Sequence, residues 1–419
     1  MKRSFILLCL LVVYSFSFEL RGQPTHTSIE ELPQFKLVDS TVFDLPFISY
    51  SSPWLVARLK DDTMYLLSAD AGTFYILNKQ GIALKKMQFK DYLNSEYQFF
   101  PDDFYITDNY FAFFDGNVRS MLIDKYFKPC GFYWFKDYQY NYYGGFPYMS
   151  FFFSEKNKSF YYTTHYSVDD TSPVASLTQK YYRTSESVGS FSVRLEDARD
   201  SSITKSDTNF LQKLEKGDFL IHKPAVYTNK KGFLPYLDFK DIAFDPTRSE
   251  IYVSFAPDSI IRVFDPKGNL VRSFGRKGYY IQPKDSLRYI DSAKVRSLTM
   301  KQFSYISDST RYQCAYYTWL TLDDSLNLLC REYLVTDSAN IVSGSKVGYR
   351  SNALWPNSRI KITHYLQLYD KEKWLGDFKM PNYWEFLGFS GKNLVFYRLE
   401  NITDSYQYLM HVYYVSFEI

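Results

Sequence analysis

The stretch Ile251–Phe274, IYVSFAPDSIIRVFDPKGNLVRSF, decides the fold because another part of the chain repeats its pattern. Sixteen residues separate Tyr252 from Gly268 in this stretch, and the same interval separates Tyr65 from Gly81 in MYLLSADAGTFYILNKQGIALKKM. Apolar runs bounded by turn residues are typical of β-strands. Self-similarity at a fixed spacing therefore predicts a repeated unit of several strands.

A third copy, FAFFDGNVRSMLIDKYFKP, begins at Phe111 and keeps the same order of apolar runs and turns. Ile76–Asn78 stands in one copy where Val263–Asp265 stands in the other, and the third copy keeps the order through Ile123 and Asp124. In the third copy Phe127 takes the place of the turn glycine. A multi-strand unit that recurs in this way predicts a ring or an array of small sheets.

Six short polar turns, each followed by an aromatic or aliphatic run, divide the chain into units. They are Lys60–Thr63, Asp108–Asn109, Glu155–Lys158, Asp245–Arg248, Asp323–Ser325 and Ser390–Asn393. The first three turns lie about 47 residues apart, close to the roughly 40 to 50 residues of a four-stranded propeller blade. The later intervals are longer, so the sequence predicts six blades with insertions.

Two polar segments account for most of the extra length. Residues 167–216 are rich in Ser, Asp, Thr and Lys, and such a composition buries too little apolar surface to form a blade of its own. We expect one added strand there, at Ser190–Leu195. The second insertion is 337–358, after which Leu368–Asp370 restores the strand pattern, with Lys373 at the glycine position.

Both ends of the repeat region supply strands to the last blade. The run YLMHVYYVSFEI ends the chain, and Phe35–Phe47 is available to complete the same sheet from the other side. Closure of this kind removes an exposed sheet edge. No segment shows a long amphipathic helical period. We therefore expect an all-β protein, a six-bladed β-propeller closed by N- and C-terminal strands, with 24–419 as one domain.

The segment Asp241–Gly278 resembles an NHL-type blade, in which a strand turns into IYV, then IRVFD, then a glycine followed by an apolar strand. The whole chain after its leader resembles the NHL-like or TolB-like propellers that Gram-negative bacteria export, many of them uncharacterised. The resemblance implies a fold and ligand binding at one face of the ring, across a central channel. It does not carry an activity.

The first residues are typical of an export signal. Lys2 and Arg3 precede an apolar run, Phe5–Phe18, which is shorter than the roughly 20 residues that span a membrane. We expect 1–23 to be a signal peptide with a short leader and the protein to be periplasmic or at the cell surface. The alternative is an uncleaved segment that anchors the protein to a membrane.

Net charge bears on the expected partners, and the cysteine count bears on disulfide pairing. The formal charge of +3 falls to +1 without the leader, so nucleic acid is not an expected partner. Cys130, Cys314 and Cys330 remain after Cys9 is removed, and an odd number of cysteines cannot all pair internally. A Cys314–Cys330 disulfide would need a slipped strand register.

The sequence contains no catalytic or zinc-binding motif that we can identify. The five histidines lie far apart, at His26, His165, His222, His364 and His411. Some propellers that resemble this architecture are hydrolases or lactonases that hold calcium with acidic residues from several blades. The residues of suitable type before strands are Asp44, Glu96, Asp103 and Asp241.

The densest unusual cluster is WFKDYQYNYYGGFPY, which begins at Trp134. Tyrosine and tryptophan present flat apolar faces with a polar tip, which suits stacking on sugars or peptides. The candidate ligand-binding residues are therefore Trp134, Tyr140, Tyr142 and Tyr143. The alternative is that these side chains pack between blades, since one fifth of the chain is aromatic.

Three functions remain open from the sequence. The first is an exported binding or protein-interaction module that takes a protein, peptide or glycan ligand and needs no cofactor. The second is a metal-dependent hydrolase of lactonase type, with calcium in the central channel. The third is a glycan-binding component of a nutrient-uptake system, which depends on the aromatic cluster alone.

Overall fold

The structure is a computed structural model that describes residues 35–45, 55–69, 72–92, 99, 101–115, 119–135, 151–163, 186–192, 211–214, 218–222, 240–281, 315–323, 325–336, 362–381, 384–401 and 408–417. These residues form β-strands and one short 3-10 helix, Phe89–Asp91. In the described part of the chain, no helix has the length and apolar content that a membrane span requires.

The strands are grouped into six sheets, which we number in chain order. Sheet 1 contains β2 (Leu55–Lys60), β3 (Thr63–Ser68), β4 (Thr73–Leu77) and β5 (Ala83–Gln88). Sheet 2 contains β6 (Pro101–Ile106), β7 (Tyr110–Asp115), β8 (Arg119–Asp124), β9 (Pro129–Phe135) and β13 (Leu211–Leu214). Sheet 3 contains β10 (Phe151–Ser154), β11 (Ser159–Thr163), β12 (Glu186–Ser192) and β14 (Asp218–His222).

The second half of the chain forms the other three sheets. Sheet 4 contains β15 (Lys240–Asp245), β16 (Glu250–Phe255), β17 (Ile261–Phe264) and β18 (Leu270–Phe274). Sheet 5 contains β19 (Tyr316–Asp323), β20 (Leu328–Thr336), β21 (Ile362–Asp370) and β22 (Lys373–Lys379). Sheet 6 contains β23 (Glu385–Ser390), β24 (Asn393–Asn401), β25 (Tyr408–Phe417) and β1 (Phe35–Leu45).

Each of the six turns read from the sequence joins the first two strands of one sheet. Several turn residues have a positive φ, including Asp61 at 48° and Asp62 at 58° in the two-residue turn of sheet 1. Two consecutive residues with positive φ make the turn whose twist matches a right-handed β-hairpin. Gly391, at 55°, supplies the left-handed residue in sheet 6.

The turn between the third and fourth strands has the same hydrogen bonds in sheets 1, 2 and 4. The side-chain oxygen of the first turn residue accepts the N–H groups two and four positions later, and its carbonyl accepts the N–H three positions later, all at 2.8–3.0 Å. The first residues are Asn78, Asp124 and Asp265. The third residue after each has a positive φ, which is 66° at Phe127. The placement of Phe127 at the glycine position is therefore confirmed.

Sheet 5 departs from this turn. Its third and fourth strands are joined by a two-residue loop in which Asp370 pairs with Lys373. The left-handed residue is Lys371, with φ 57°, while Lys373 already belongs to β22. The prediction that Lys373 takes the glycine position was wrong, because the shorter loop moves the left-handed position two residues toward the N-terminus.

The first strands of the six sheets form a closed inner ring. β2 contacts β6, β6 contacts β10, β10 contacts β15, β15 contacts β19, β19 contacts β23, and β23 returns to β2. Six buried apolar clusters fill the spaces between consecutive sheets, and one of them joins sheet 6 to sheet 1. Small sheets arranged around a common channel are a β-propeller.

Aromatic side chains form much of the packing between sheets. Phe74 of sheet 1 meets Phe113 of sheet 2 edge to face, with ring centroids 4.9 Å apart. Phe152 of sheet 3 stacks on Phe244 of sheet 4 at 4.5 Å. Both arrangements lie within the range that favours aromatic pairs. The aromatic richness of the chain is therefore explained in large part by its inter-sheet packing.

Both ends of the described chain meet in sheet 6, as the sequence predicts. β1 pairs antiparallel with β25, from Phe35 opposite Phe417 to Leu45 opposite Tyr408. The Phe43 side chain of β1 is buried and packs over Gly81, in the turn between β4 and β5 of sheet 1. The closing strand therefore contacts the first sheet as well as the last.

The polar segment 167–216 contributes more regular structure than the sequence suggested. β12 begins at Glu186, earlier than the expected Ser190, and it is the third strand of sheet 3 itself. β13 crosses to sheet 2 and pairs in parallel with β9. The difference arises because an apolar partner strand, here β11, can hold a strand whose own sequence is polar.

A buried arginine forms a polar network between sheets 4 and 5. The Arg331 side chain donates hydrogen bonds to Gln367 Oε1 at 2.6 Å and to the carbonyl of Ser259 at 2.9 Å, and it lies 3.8 Å from the ring centroid of Tyr317. Burial raises the pKa of Tyr317 to about 12. Arg331 and Gln367 also donate to the carbonyl of Arg276, so the network holds the loop after β18 against sheet 5.

The cysteines of the described residues are unpaired. Cys130 and Cys330 are both buried and free. Cys330 lies opposite Thr321 in the register of β19 and β20. Cys314 lies outside the described residues.

Candidate functional site

A cavity of about 470 Å³ lies where the inner strands of the six sheets meet. Its lining includes residues from β2, β6, β10, β15, β19 and β23, the first strand of every sheet. Small-molecule sites usually occupy roughly 300 to 1,000 Å³. The cavity therefore has the size and the central position of a propeller channel site.

The lining is strongly acidic although the chain as a whole is slightly basic. Eight carboxylates line the cavity: Asp61, Asp103, Asp108, Glu155, Asp241, Asp323, Glu332 and Glu385. Three basic side chains line it, and all come from sheets 1 and 3: Arg58, Lys60 and Lys156. The formal charge of the whole chain is +3, so the acidity is a property of the cavity.

The side of the cavity formed by sheets 1 and 2 holds charges in pairs. Arg58 donates to Asp103 at 2.9 Å, and Lys60 donates to Asp108 at 2.6 Å. The hydrogen bond from Lys60 holds the pKa of the Asp108 carboxyl below its usual range. These pairs link the first strands of two neighbouring sheets across the wall of the channel.

Asp241 joins sheets 4 and 5 on the other side. Its Oδ1 accepts the N–H of Ile242 at 2.9 Å, and its Oδ2 accepts the N–H of Leu320 at 2.6 Å. Only 5% of Asp241 is exposed. Both oxygens of this carboxylate are therefore held in fixed positions by backbone donors.

Two more side chains that line the cavity lie at a β-bulge in sheet 5. Tyr317 pairs with Tyr333 and Leu320 pairs with Arg331, so the register shifts between these two pairs. Bulges redirect side chains and are frequent beside binding sites. In this part of the channel Trp319 and Glu332 both line the cavity.

His364 also lines the cavity, from the neighbouring strand β21. Its Nδ1 lies 3.9 Å from Oε2 of Glu332. An imidazole at this distance can form an ion pair with the carboxylate when it is protonated.

Sheet 6 supplies a rigid aromatic wall. Trp384 is buried, and its ring stacks on Tyr413 with centroids 3.8 Å apart. Next to it, Glu385 accepts a hydrogen bond from the hydroxyl of Tyr397. Trp384, Glu385 and Tyr397 all line the cavity. Trp384 immediately precedes β23, so a buried indole ring and an oriented carboxylate are consecutive in the chain.

Two of the four acidic residues named from the sequence reach this cavity. Asp103 and Asp241 line it, while Asp44 is exposed on the outermost strand β1. Glu96 lies outside the described residues. No group of three or more His, Cys, Asp or Glu side chains within the described ranges is arranged to hold a metal ion.

The remaining histidines do not meet each other in the described structure. His411 of β25 lies 2.9 Å from Glu400. His222 ends β14, and its side chain is not described. His26 and His165 lie outside the described residues.

The aromatic candidates fall largely outside the described part of the chain. Trp134 belongs to β9, opposite Arg119 and beside Lys213 of β13, and its side chain is not described. Tyr140, Tyr142 and Tyr143 lie outside the described residues. Their role in binding stays a prediction.

The cavity residues that sequence reasoning missed are Arg58, Trp319, Glu332, His364, Trp384 and Glu385. Arg58, Trp319 and Glu385 lie in strands that precede hairpin turns, and Trp384 lies one residue before such a strand. Counting back from each turn would therefore have found these four. Glu332 and His364 could not be found this way because they belong to β20 and β21.

Comparison with known proteins identifies a fold and no family. No protein-family model matches the chain, and no curated protein matches it. A solved structure of a member of the DUF4221 family from Bacteroides vulgatus matches with a TM-score of 0.56 and 10% identity, covering 92% of this chain and 99% of the other.

Two further solved structures match less closely. Streptogramin B lyase has a TM-score of 0.40 and 9% identity, covering 91% of this chain and 98% of its own. Hsv2 from Kluyveromyces marxianus has a TM-score of 0.33 and 10% identity, covering 86% and 84%. The Bacteroides likeness and the ring of sheets together show that the chain is an all-β protein with a propeller fold.

Proposed function

We propose that this protein is an exported, six-bladed propeller that works as a binding module and takes its ligand in the central cavity. The observation that supports the proposal is the cavity of about 470 Å³, to which the first strand of every sheet contributes. Binding sites in proteins are mostly concave, pre-formed and few. A fold alone does not specify activity, so the proposal depends on the cavity.

The count of six blades is part of the proposal. Six sheets whose first strands contact one another in a cycle give one blade each. The resemblance of Asp241–Gly278 to an NHL-type blade supports an NHL-like ring. The basic and apolar residues before Phe18 support export to the periplasm or cell surface.

Thermal melting of the mature chain, residues 24–419, tests the binding proposal. The protein is melted with a panel of glycans, peptides and small organic molecules, because a ligand that binds only the folded state raises the melting temperature. Each ligand that shifts the wild type is tested again on Trp319→Ala, which alters the cavity. Tyr126→Ala is the matched control, since Tyr126 is exposed outside the cavity.

The aromatic cluster that begins at Trp134 is the alternative binding site. If the shift is lost in Trp319→Ala and kept in a Tyr142→Ala/Tyr143→Ala variant, the cavity is the binding site. The reverse pattern would place binding at the aromatic cluster and overturn the proposal.

The calcium-dependent hydrolase is the second candidate, because Asp103 and Asp241 both line the cavity. Against it, Asp103 is already paired with Arg58, and within the described residues no three His, Cys, Asp or Glu side chains are grouped as a metal site. A calcium-dependent rise in melting temperature that EDTA reverses and Asp241→Asn abolishes would favour the enzyme over the binding module.

A further inference from the structure

We propose that the cavity binds an organic cation, a ligand with an ammonium or guanidinium group, on the side formed by sheets 4, 5 and 6. The inference rests on the proposed function and names the ligand class for the same cavity.

The distribution of charge is the first argument. Sheets 4 to 6 contribute four of the lining carboxylates, Asp241, Asp323, Glu332 and Glu385. Among the described lining residues of these three sheets there is no lysine and no arginine. His364, beside Glu332, is the one basic side chain among them. A wall with an excess of one sign of charge attracts ligands of the opposite sign. An anionic ligand would meet like charges on this side.

The aromatic walls are the second argument, and they are independent of the carboxylates. Trp319 and Trp384 line the same side of the cavity. Tryptophan presents the best face for a cation among the aromatic residues, and the attraction grows where water is excluded. The stack of Trp384 on Tyr413 keeps that ring in place, so little conformational freedom is lost when a ligand binds.

The shape of the donor set favours an organic cation over a metal ion. Calcium takes six to eight oxygen ligands at short range, and within the described residues no group of three acidic, His or Cys side chains is arranged for a metal. The carboxylates of these three sheets instead surround a volume of about 470 Å³, and no three of them are grouped around one point. Charges spread over this space suit a ligand of several atoms with a cationic end.

Matched probes isolate the charge. We would titrate the mature protein in a calorimeter with arginine amide and with citrulline amide, both acetylated on the α-amino group. The acetylated probes differ little in size, and only the guanidinium of the arginine probe carries a charge. We expect arginine amide to bind at least tenfold more tightly, which is about 1.4 kcal/mol. Added salt should weaken arginine amide binding because it screens charge.

Two isosteric variants locate the interaction. Glu332→Gln and Glu385→Gln remove a charge and keep the side-chain volume, and each should weaken arginine amide binding about threefold to tenfold. Asp91→Asn is the control, because Asp91 is exposed on the 3-10 helix outside the cavity, and it should leave binding unchanged. The melting temperature of each variant without ligand shows whether it is folded.

The outcomes separate this inference from the proposed function. If citrulline amide binds as tightly as arginine amide, or if no cationic probe binds at millimolar concentrations, the cation proposal is overturned. A neutral glycan whose binding is lost in Trp319→Ala would then still support the cavity as the site. Arginine amide binding that Glu332→Gln and Glu385→Gln leave unchanged also overturns the cation proposal.

Discussion

Replacing Gly81 with alanine should show whether the closing strand β1 holds the first and last sheets together. Gly81 has φ 76°, and a Cβ built on it would lie 2.5 Å from Cγ of the buried Phe43. An L-residue in the left-handed region costs about 1–2 kcal/mol. Overpacking a buried contact costs about 1–3 kcal/mol more. We therefore expect Gly81→Ala to lower the free energy of unfolding by about 2–5 kcal/mol.

Gly391 offers a matched control for the backbone cost. It has φ 55°, and a Cβ built there meets nothing within 4 Å. Gly391→Ala should therefore cost about 1–2 kcal/mol. The difference between the two variants measures the contact between β1 and sheet 1.

A double-mutant cycle completes the test. Phe43→Ala alone should cost about 3–5 kcal/mol, because it removes a buried aromatic ring. In that background Gly81→Ala should cost only the backbone term, since Phe43 no longer blocks the new methyl group. Urea denaturation followed by tryptophan fluorescence gives each value. Equal costs for Gly81→Ala and Gly391→Ala, or additivity within about 0.5 kcal/mol, would refute the contact.

Three other predictions concern buried groups and pH. Arg331→Met should lower the free energy of unfolding by about 3 kcal/mol or more, because it removes a donor to the carbonyl of Ser259 and two of the three donors to Gln367 Oε1. Lys379→Met, at an exposed position, should change the free energy of unfolding by less than about 0.5 kcal/mol. Similar losses for the two variants in urea denaturation would contradict this. Hydrogen bonds from Lys79 and Ser390 hold the pKa of Asp62 below its usual value in the folded protein. The ionised Asp62 therefore stabilises the folded state above about pH 4, and this stabilisation is lost as the pH falls through the lower, folded-state pKa. Melting temperatures measured across acidic pH should therefore fall less steeply for Asp62→Asn than for the wild type, and parallel curves would exclude the effect. Burial raises the pKa of Cys130 to about 11 and that of Cys330 well above its usual value. In a Cys9→Ser/Cys314→Ser variant, a thiol reagent should therefore label these two cysteines only as the protein unfolds. Rapid labelling of the native protein would show that the two thiols are accessible.

The parts of the fold that are fixed by local sequence could be predicted. The side chains of Asn78, Asp124 and Asp265 each close their own turn, and that chemistry is visible within five residues. The closing strand β1 could also be placed, because a propeller with an open edge needs a partner strand.

The site and the polar strands depend on long-range contacts and could not be predicted in this way. The strand predicted at Ser190–Leu195 overlaps only the end of β12, because the residues before Ser190 carry little strand signal and are held by the apolar partner β11. Glu332 lines the cavity from the second strand of its sheet, where the register of β19 and β20 shifts, and a register shift follows from pairing between strands. The acidic cavity is formed by residues of separate sheets, so no continuous sequence motif predicts it.

The pairing of β1 with β25 has a consequence for how the ring responds to force. Phe35, where β1 begins, lies directly opposite Phe417, where β25 ends. A pull applied in opposite directions through the segments before Phe35 and after Phe417 would act on one pair of residues at a time. The hydrogen bonds between the two strands would then open in sequence, as a zipper does, and none of them would share the load. If the protein were tethered through the segment before β1, the pairing of β1 with β25 would therefore be the first part of the ring to open under force.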